Sequence, residues 1–176
     1  MADELLETPL SSEEEEDTQD GKFLTFPLGD SLYGIEIRYV LEVVIRSSKI
    51  QITQVPHMPP YTKGVINLRG KVIPVIDLRT RFQIADREYD DRTCFVVVNI
   101  QGMTTGLIVD TVAGVATIAT RAIDPPPQLD TSAQSRFIAG MGKTAKTVYI
   151  LLNVNELLGK DEIKEFQQLE SSSAGH

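Results

Sequence analysis

The sequence predicts a mainly β protein built from two similar halves. Three observations predict it. Short runs rich in Val, Ile, Phe and Tyr recur along the chain, separated by Gly, Pro, Asp and Asn. The spacing of apolar residues within those runs fits strands better than helices. The first half also superposes on the second in sequence, which points to an internal repeat.

The elements follow in order. Phe23, Phe26 and Leu28 open an apolar run that the turn signal Gly29-Asp30 closes. Leu32, Tyr33, Ile35 and Ile37 continue it with near-alternation. Further strand runs are Val43 to Ile45, Lys49 to Val55, Val65 to Leu68 and Val72 to Leu78. The second half repeats the texture at Cys94 to Ile100, Thr105 to Val109, Val115 to Ala119 and Val148 to Leu152. Nine or ten short strands with hairpin-length gaps suggest barrels or a sandwich. Asn155 to Leu169 differs: Leu157, Leu158, Ile163, Phe166 and Leu169 fall at near-helical spacing, with Lys164, Glu165 and Gln168 opposite. One amphipathic helix is expected there, broken at Gly159 and restarted with Asp161 as an acid in its first turn.

The repeat has two offsets. A shift of 72 positions superposes Phe23 on Phe95, Gly34 on Gly106, Val40 on Val112 and Val43 on Val115. A shift of 76 superposes Gly64 on Gly140, Val75 on Leu151, Asp77 on Asn153 and Leu78 on Val154. The difference fits an insertion near Pro125-Pro126-Pro127. Each half, of about 70 residues, would have a thin core alone. Packed together, the halves share an apolar face, and their seam makes a groove suited to a ligand or partner.

Charge is distributed unevenly. The 176 residues carry a net charge of −8. Residues 1–20 hold nine acids and no base, leaving 16 acids and 17 bases elsewhere. The acidity belongs to a leader with an unbroken run at Glu13–Asp17, read as disordered. A domain spanning 21–169 follows, and 170–176 reads as a flexible tail. A nearly neutral body argues against nucleic-acid binding. No apolar run is long enough to cross a membrane, no secretory signal opens the chain, and the single cysteine excludes an internal disulfide. A cytoplasmic protein is expected.

The residues offer little chemistry. His57 and His176 are the only histidines, Cys94 sits in an apolar strand, and no cluster has zinc spacing. No metal or cofactor is expected. GMGKT at 140–144 resembles the end of a phosphate loop, but the position that needs the leading glycine is Phe137, so Gly140 and Gly142 are read as turn residues. Glu36, Glu42, Asp77 and Asp110 are carboxylates near apolar segments, and no pattern pairs two of them. The segment GVINLRGKVIPVIDLR (64–79) stands out: Arg69 is presented at a tight turn, where a guanidinium can engage a carboxylate. Pro74 suggests an edge or a bulge.

That segment closely resembles the signature of the CheW family of chemotaxis adaptors, as does FLTFPLGDSLYGIEIRYVLEVV (23–44). Gly106 to Val115 and Ile150 to Leu158 also fit, and the resemblance spans about 22–168. It implies two five-stranded SH3-like β-barrels sharing a hydrophobic core, a C-terminal helix, and no enzymatic activity. It implies a monomer that assembles into arrays, recruited from the cytoplasm to chemoreceptors. In that family the adaptor bridges the regulatory domain of the CheA histidine kinase, itself of the same fold, to the helical tip of transmembrane receptors, which docks between the barrels. Carried over, Val40, Glu42, Val43 and Arg69 are the receptor-binding residues. Ile100 and Met103, flanking the turn Gln101-Gly102, are the kinase-binding candidates on the second barrel. The acidic leader and the long Ser47–Pro60 segment depart from the family pattern. An adaptor with an attached receiver domain, a detached kinase regulatory domain, and a small hydrolase using Glu36 or Asp110 are the alternatives.

Overall fold

Two sheets carry the fold, and neither corresponds to one half of the chain. The structure is a computed structural model that describes residues 21–126, 136–159, 162–164 and 167. The strands are β1 (Lys22–Leu28), β2 (Ser31–Glu36), β3 (Val40–Ile45), β4 (Thr62–Leu68), β5 (Lys71–Asp77), β6 (Cys94–Ile100), β7 (Met103–Val109), β8 (Gly114–Thr117), β9 (Ile123–Asp124), β10 (Ile138–Lys143) and β11 (Val148–Leu152). A single-turn helix α1 (Leu78–Arg81) follows β5. The six-stranded sheet has the order β8-β1-β2-β11-β10-β9, and the five-stranded sheet has the order β3-β6-β7-β5-β4. The first hairpin of each half has therefore crossed into the sheet of the other half. The mainly β class and the two-sheet arrangement are as expected; the sheets have six and five strands, and their ladders do not close.

The repeat explains the crossing. In β11 and β2, which run parallel, Leu151 faces Gly34; in β5 and β7, also parallel, Val75 faces Gly106. These are the pairs that the two offsets superpose. A β-carbon on Gly34 would stand 3.0 Å from Leu151 Cδ2, and one on Gly106 would stand 2.8 Å from Val75 Cγ1. Both glycines make room for the large residue across the ladder. Gly64 and Gly140 match in the same way. Each passes close to a carbonyl of a crossing segment, Thr53 O for Gly64 and Asp124 O for Gly140. Gly140 and Gly142 thus lie inside β10 and are not turn residues: close contact, and not a bend, requires them.

Pro74 also sits inside a sheet, because β5 lies between β4 and β7. It faces Val65 of β4 one pair beyond the hydrogen-bonded Ile66–Ile73 pair, so its nitrogen points away from β4. On that other side the ladder with β7 begins only at Val75. The missing N–H costs no ladder bond. Lys49 to Val55 forms a single bridge at Thr53 in place of a strand.

The core divides into three clusters. A shared core between the sheets holds Phe26, Leu28, Ile35, Ile76, Leu107 and Leu157 among others. Ile66, Ile73, Val75, Phe95, Val97 and Ile108 pack together on the five-stranded sheet; Phe23, Ile118 and Leu151 do so on the six-stranded one. The expected shared apolar face is present and is the largest of the three. Of the expected C-terminal helix, residues 162–164 and 167 are helical; Asp161, Phe166 and Leu169 lie outside the described residues, as do the leader 1–20 and the tail 170–176. Before Gly159 the chain forms only a 3-10 turn, Val154–Glu156, so the expected helix does not begin at Asn155. Gly159 N donates to Glu162 Oε2 at 2.7 Å, and Ile163 N donates to Gly159 O at 3.0 Å. Glu162 reaches back as a helix-start carboxylate does.

Candidate docking site

Strand directions gather three segments at one end of the five-stranded sheet. Because β5 and β7 are parallel, the turns that precede them, Arg69-Gly70 and Gln101-Gly102, lie side by side. Lys71 Nζ donates to Thr104 Oγ1 at 3.1 Å across that gap. β3 runs antiparallel to β6 and so begins at the same end. Both turns are two-residue loops with positive φ at each position: 53° and 86° at Arg69 and Gly70, 51° and 84° at Gln101 and Gly102. An Asn braces each one. Asn67 Oδ1 accepts from Gly70 N at 2.8 Å, and Asn99 Oδ1 accepts from Gly102 N at 2.7 Å.

Arg69 leaves its turn pointing across the open side of the sheet and pairs through Nη2 with Glu42 Oε1. Glu42 is on β3 and Arg69 is on the loop after β4, and those two strands are the opposite ends of the ladder. The ion pair therefore bridges the two edges that hydrogen bonds leave apart.

β3 carries the apolar part of the surface. A bulge at Leu41 places Val40 opposite Val98 and Val43 opposite Val96, so both valines lie on the face that looks toward the shared core. Val40 packs against that core, while Val43 is 38% exposed. Leu41 and Ile45 are 55% and 63% exposed. Of the four expected residues, Glu42 and Arg69 meet directly, whereas Val40 and Val43 share the other face of β3, since Glu42 stands opposite Val97. Leu41 and Ile45 are further exposed apolar residues of the same edge strand. The sequence conceals them, because only the strand order reveals that β3 is an edge. The counterpart edge is β8 in the other sheet, where Val115, the repeat partner of Val43, is also well exposed.

Ile100 and Met103 need correction as surface contacts. They close the β6–β7 hairpin facing each other, and their exposures are 0% and 1%. Both side chains point into the shared core, and only the turn between them is exposed. The hairpin is also in the same sheet as Arg69 and not in a separate barrel. Gln101 Nε2 donates to Asn155 O at 3.0 Å, which ties this turn to the segment after β11.

An apolar groove of about 110 Å³ opens at the seam between Tyr33, Phe82, Phe137, Ile138, Ile150 and Leu152. Tyr33 stacks between Phe26 and Phe82, and Phe82 packs on Phe137 with ring centres 5.6 Å apart. None of the four expected receptor residues lines it.

The carboxylates considered for catalysis hold structural roles. Asp77 caps α1, accepting from Arg79 N at 2.8 Å, and accepts from the Tyr89 hydroxyl at 2.5 Å. Burial, followed by that hydrogen bond, raises the Tyr89 phenol well above the ordinary tyrosine value. Asp110 receives a bidentate pair from Arg79, Nε to Oδ1 and Nη2 to Oδ2 both at 2.7 Å. Glu36 pairs with Arg38 at 2.9 Å. Cys94 is buried, and burial pushes its thiol up, away from reactivity. Among the described residues no group of three metal-ligating side chains forms, and no helix is long and apolar enough to cross a membrane.

Comparison with known proteins matches residues 22–162 to the CheW-like domain. The chemotaxis protein CheW of Klebsiella aerogenes is 33% identical over 142 residues, covering 81% of this chain and 84% of that one. The Helicobacter pylori protein of the same name is 33% identical over 155 residues, covering 88% and 92%. Protein FrzA of Myxococcus xanthus is 31% identical over 139 residues, covering 78% and 84%. The crystal structure of the scaffolding protein TtCheW from Thermoanaerobacter tengcongensis superposes with a TM-score of 0.73 at 38% identity, covering 81% of this chain and 94% of that one.

Proposed function

The chain belongs to the CheW-like domain family, and from that premise we propose that it is the adaptor that couples transmembrane chemoreceptors to the CheA histidine kinase. As a chemotaxis scaffold it works by binding and not by turnover. The observation that carries the finer reading is the β3 edge: an exposed apolar row, Leu41, Val43 and Ile45, beside an ion pair held at a turn tip. An apolar row with a fixed charge at its end suits the face of a receptor helix, with the aliphatic residues supplying contact and Glu42 and Arg69 supplying orientation. The arginine of the pair is mostly solvated, so the pair contributes specificity more than affinity.

The kinase regulatory domain takes a second face. With Ile100 and Met103 in the core, the counterpart edge β8 with Val115 is the better surface for a partner of the same fold. A change in the receptor then reaches the kinase through a shift in the adaptor's bound geometry. Individual contacts need only be weak, since an array multiplies them. The test is an NMR titration of the labelled protein with a receptor-tip hairpin and, separately, with the kinase regulatory domain. The hairpin is expected to shift Leu41–Ile45 and Arg69, and the kinase domain to shift Gly114–Thr117. Absence of binding by both partners, or identical shifts from both, rejects the reading.

A further inference from the structure

Arg81 lies between two aromatic residues that the repeat superposes. Its guanidinium carbon lies 4.0 Å from the ring centre of Tyr61 and 4.7 Å from that of Phe137. Those two aromatics are superposed by the 76-residue offset, and their backbones do the same work: Asp77 N donates to Tyr61 O at 2.8 Å, and Asn153 N donates to Phe137 O at 2.7 Å. Arg81 Nε donates to Leu157 O at 2.9 Å, and Leu157 is the residue that the same offset superposes on Arg81 itself. Nη2 lies 3.7 Å from Glu162 Oε2, an ionic contact beyond hydrogen-bond reach.

The two rings come from different sheets. Tyr61 leads into β4 of the five-stranded sheet, and Phe137 leads into β10 of the six-stranded one. Arg81 is nearly buried between them, with a side-chain exposure of 11%. Its counterpart position in the repeat holds the fully buried Leu157, and Arg136 also lies over the Phe137 ring, at 5.2 Å. A planar guanidinium stacks on two rings and donates in its plane at the same time, which an ammonium does not. Phe137 and Phe82, the residue after Arg81, are also walls of the seam groove.

We propose that Arg81 is the positioning residue that fixes the placement of one sheet against the other, so that a change at the β3 edge reaches the β8 edge. The functional half rests on the adaptor reading; the positional half does not. The experiment uses the full chain with spin labels at Lys49→Cys and Lys146→Cys, exposed sites on loops of different sheets, in a Cys94→Ala background. Pulsed electron resonance should give one narrow distance distribution with Arg81, and a displaced or broadened one with Arg81→Met. Arg81→Lys keeps the charge without the stacking and should not restore it. If Arg81→Met fails to fold, Phe137→Leu removes one ring and is read the same way.

The second readout is cooperativity. Binding of the receptor hairpin and of the kinase domain, measured singly, should stay within about a factor of two of the parent, because neither edge contains Arg81. The effect of one partner on the affinity for the other should disappear. A narrow, unmoved distribution, or intact cooperativity, overturns the proposal. Failure of the parent protein to bind either partner rejects the adaptor reading, and the distance distribution still decides the placement role.

Discussion

Val75 lies directly across the parallel β5–β7 ladder from Gly106, its Cγ1 only 2.8 Å from where a β-carbon on that glycine would stand. That separation is too short for any real carbon pair, and the opposing atom belongs to a branched side chain held in a filled core. Gly106→Ala should therefore cost about 1–3 kcal/mol through overpacking. Val75→Ala in the same chain should recover part of that loss, because it removes the colliding methyl. Urea denaturation of the two single variants and the double variant measures the coupling; strict additivity would show that the two residues do not compete for this space.

The hairpins and the repeat are legible in the sequence because their signals are local. Gly29-Asp30 marks a turn, alternation marks a strand, and Gly34 and Gly106 fall in register. The sheet assignment is not legible. Nothing local says that β1–β2 pairs with β8 and β11 while β6–β7 pairs with β3 and β5. Long-range pairing decides it, through fits such as Leu151 over Gly34. The site inherits the same limit. Arg69 can be picked out, since turn chemistry is local, whereas Glu42 comes from the family resemblance alone. Leu41 and Ile45 cannot be picked out, because their exposure follows from β3 being last in its ladder. Ile100 and Met103 read as surface residues beside an exposed turn, yet the tight loop sends both inward.

Arg79 and Asp110 form a bidentate pair with side-chain exposures of 13% and 10%, and Arg87 adds a contact to Asp110 at 3.3 Å. The hydrogen bonds to Asp110 hold the Arg79 pKa above its ordinary value. Asp110→Ala removes the bidentate partner of a nearly buried cation, leaving it Ala85 O at 2.6 Å, and should cost about 3 kcal/mol. Asp110→Leu combined with Arg79→Met should recover much of that, because no charge is then left stranded. Thermal and chemical denaturation separate the cases; a double variant as unstable as Asp110→Ala would mean that shape, and not charge, is at stake.

Alkaline pH should destabilise the fold. Tyr89 and Tyr61 both have phenols raised by burial, with Asp77 and Glu162 respectively adding to the effect. The folded chain keeps these protons after the unfolded chain has begun to release them. Their contribution is thus complete below the ordinary tyrosine value of about 10 and is lost as pH climbs above it. Stability measured by urea titration from pH 8 upward should bend downward near about pH 10. Tyr89→Phe should shallow that slope while costing about 1 kcal/mol at neutral pH, since Asp77 loses a donor. An unchanged slope in Tyr89→Phe would remove Tyr89 as a cause.

Arg69 supplies a case in which stability and function should move in opposite directions. Its backbone is left-handed, with φ of 53°, and its side chain is 70% exposed. An arginine gains nothing from that conformation, whereas Asn favours it at the first position of this turn type. The contact with Glu42, whose arginine is mostly solvated, is worth below about 1 kcal/mol. Arg69→Asn should therefore leave stability unchanged or raise it by a few tenths of a kcal/mol. The same substitution removes the guanidinium from the docking patch and should weaken receptor-hairpin binding; Arg69→Glu should weaken it further by setting like charge against Glu42. Denaturation and binding isotherms on the same samples test this together. A large loss of stability in Arg69→Asn would make the arginine a structural strut, and undiminished binding in both variants would remove it from the receptor contact.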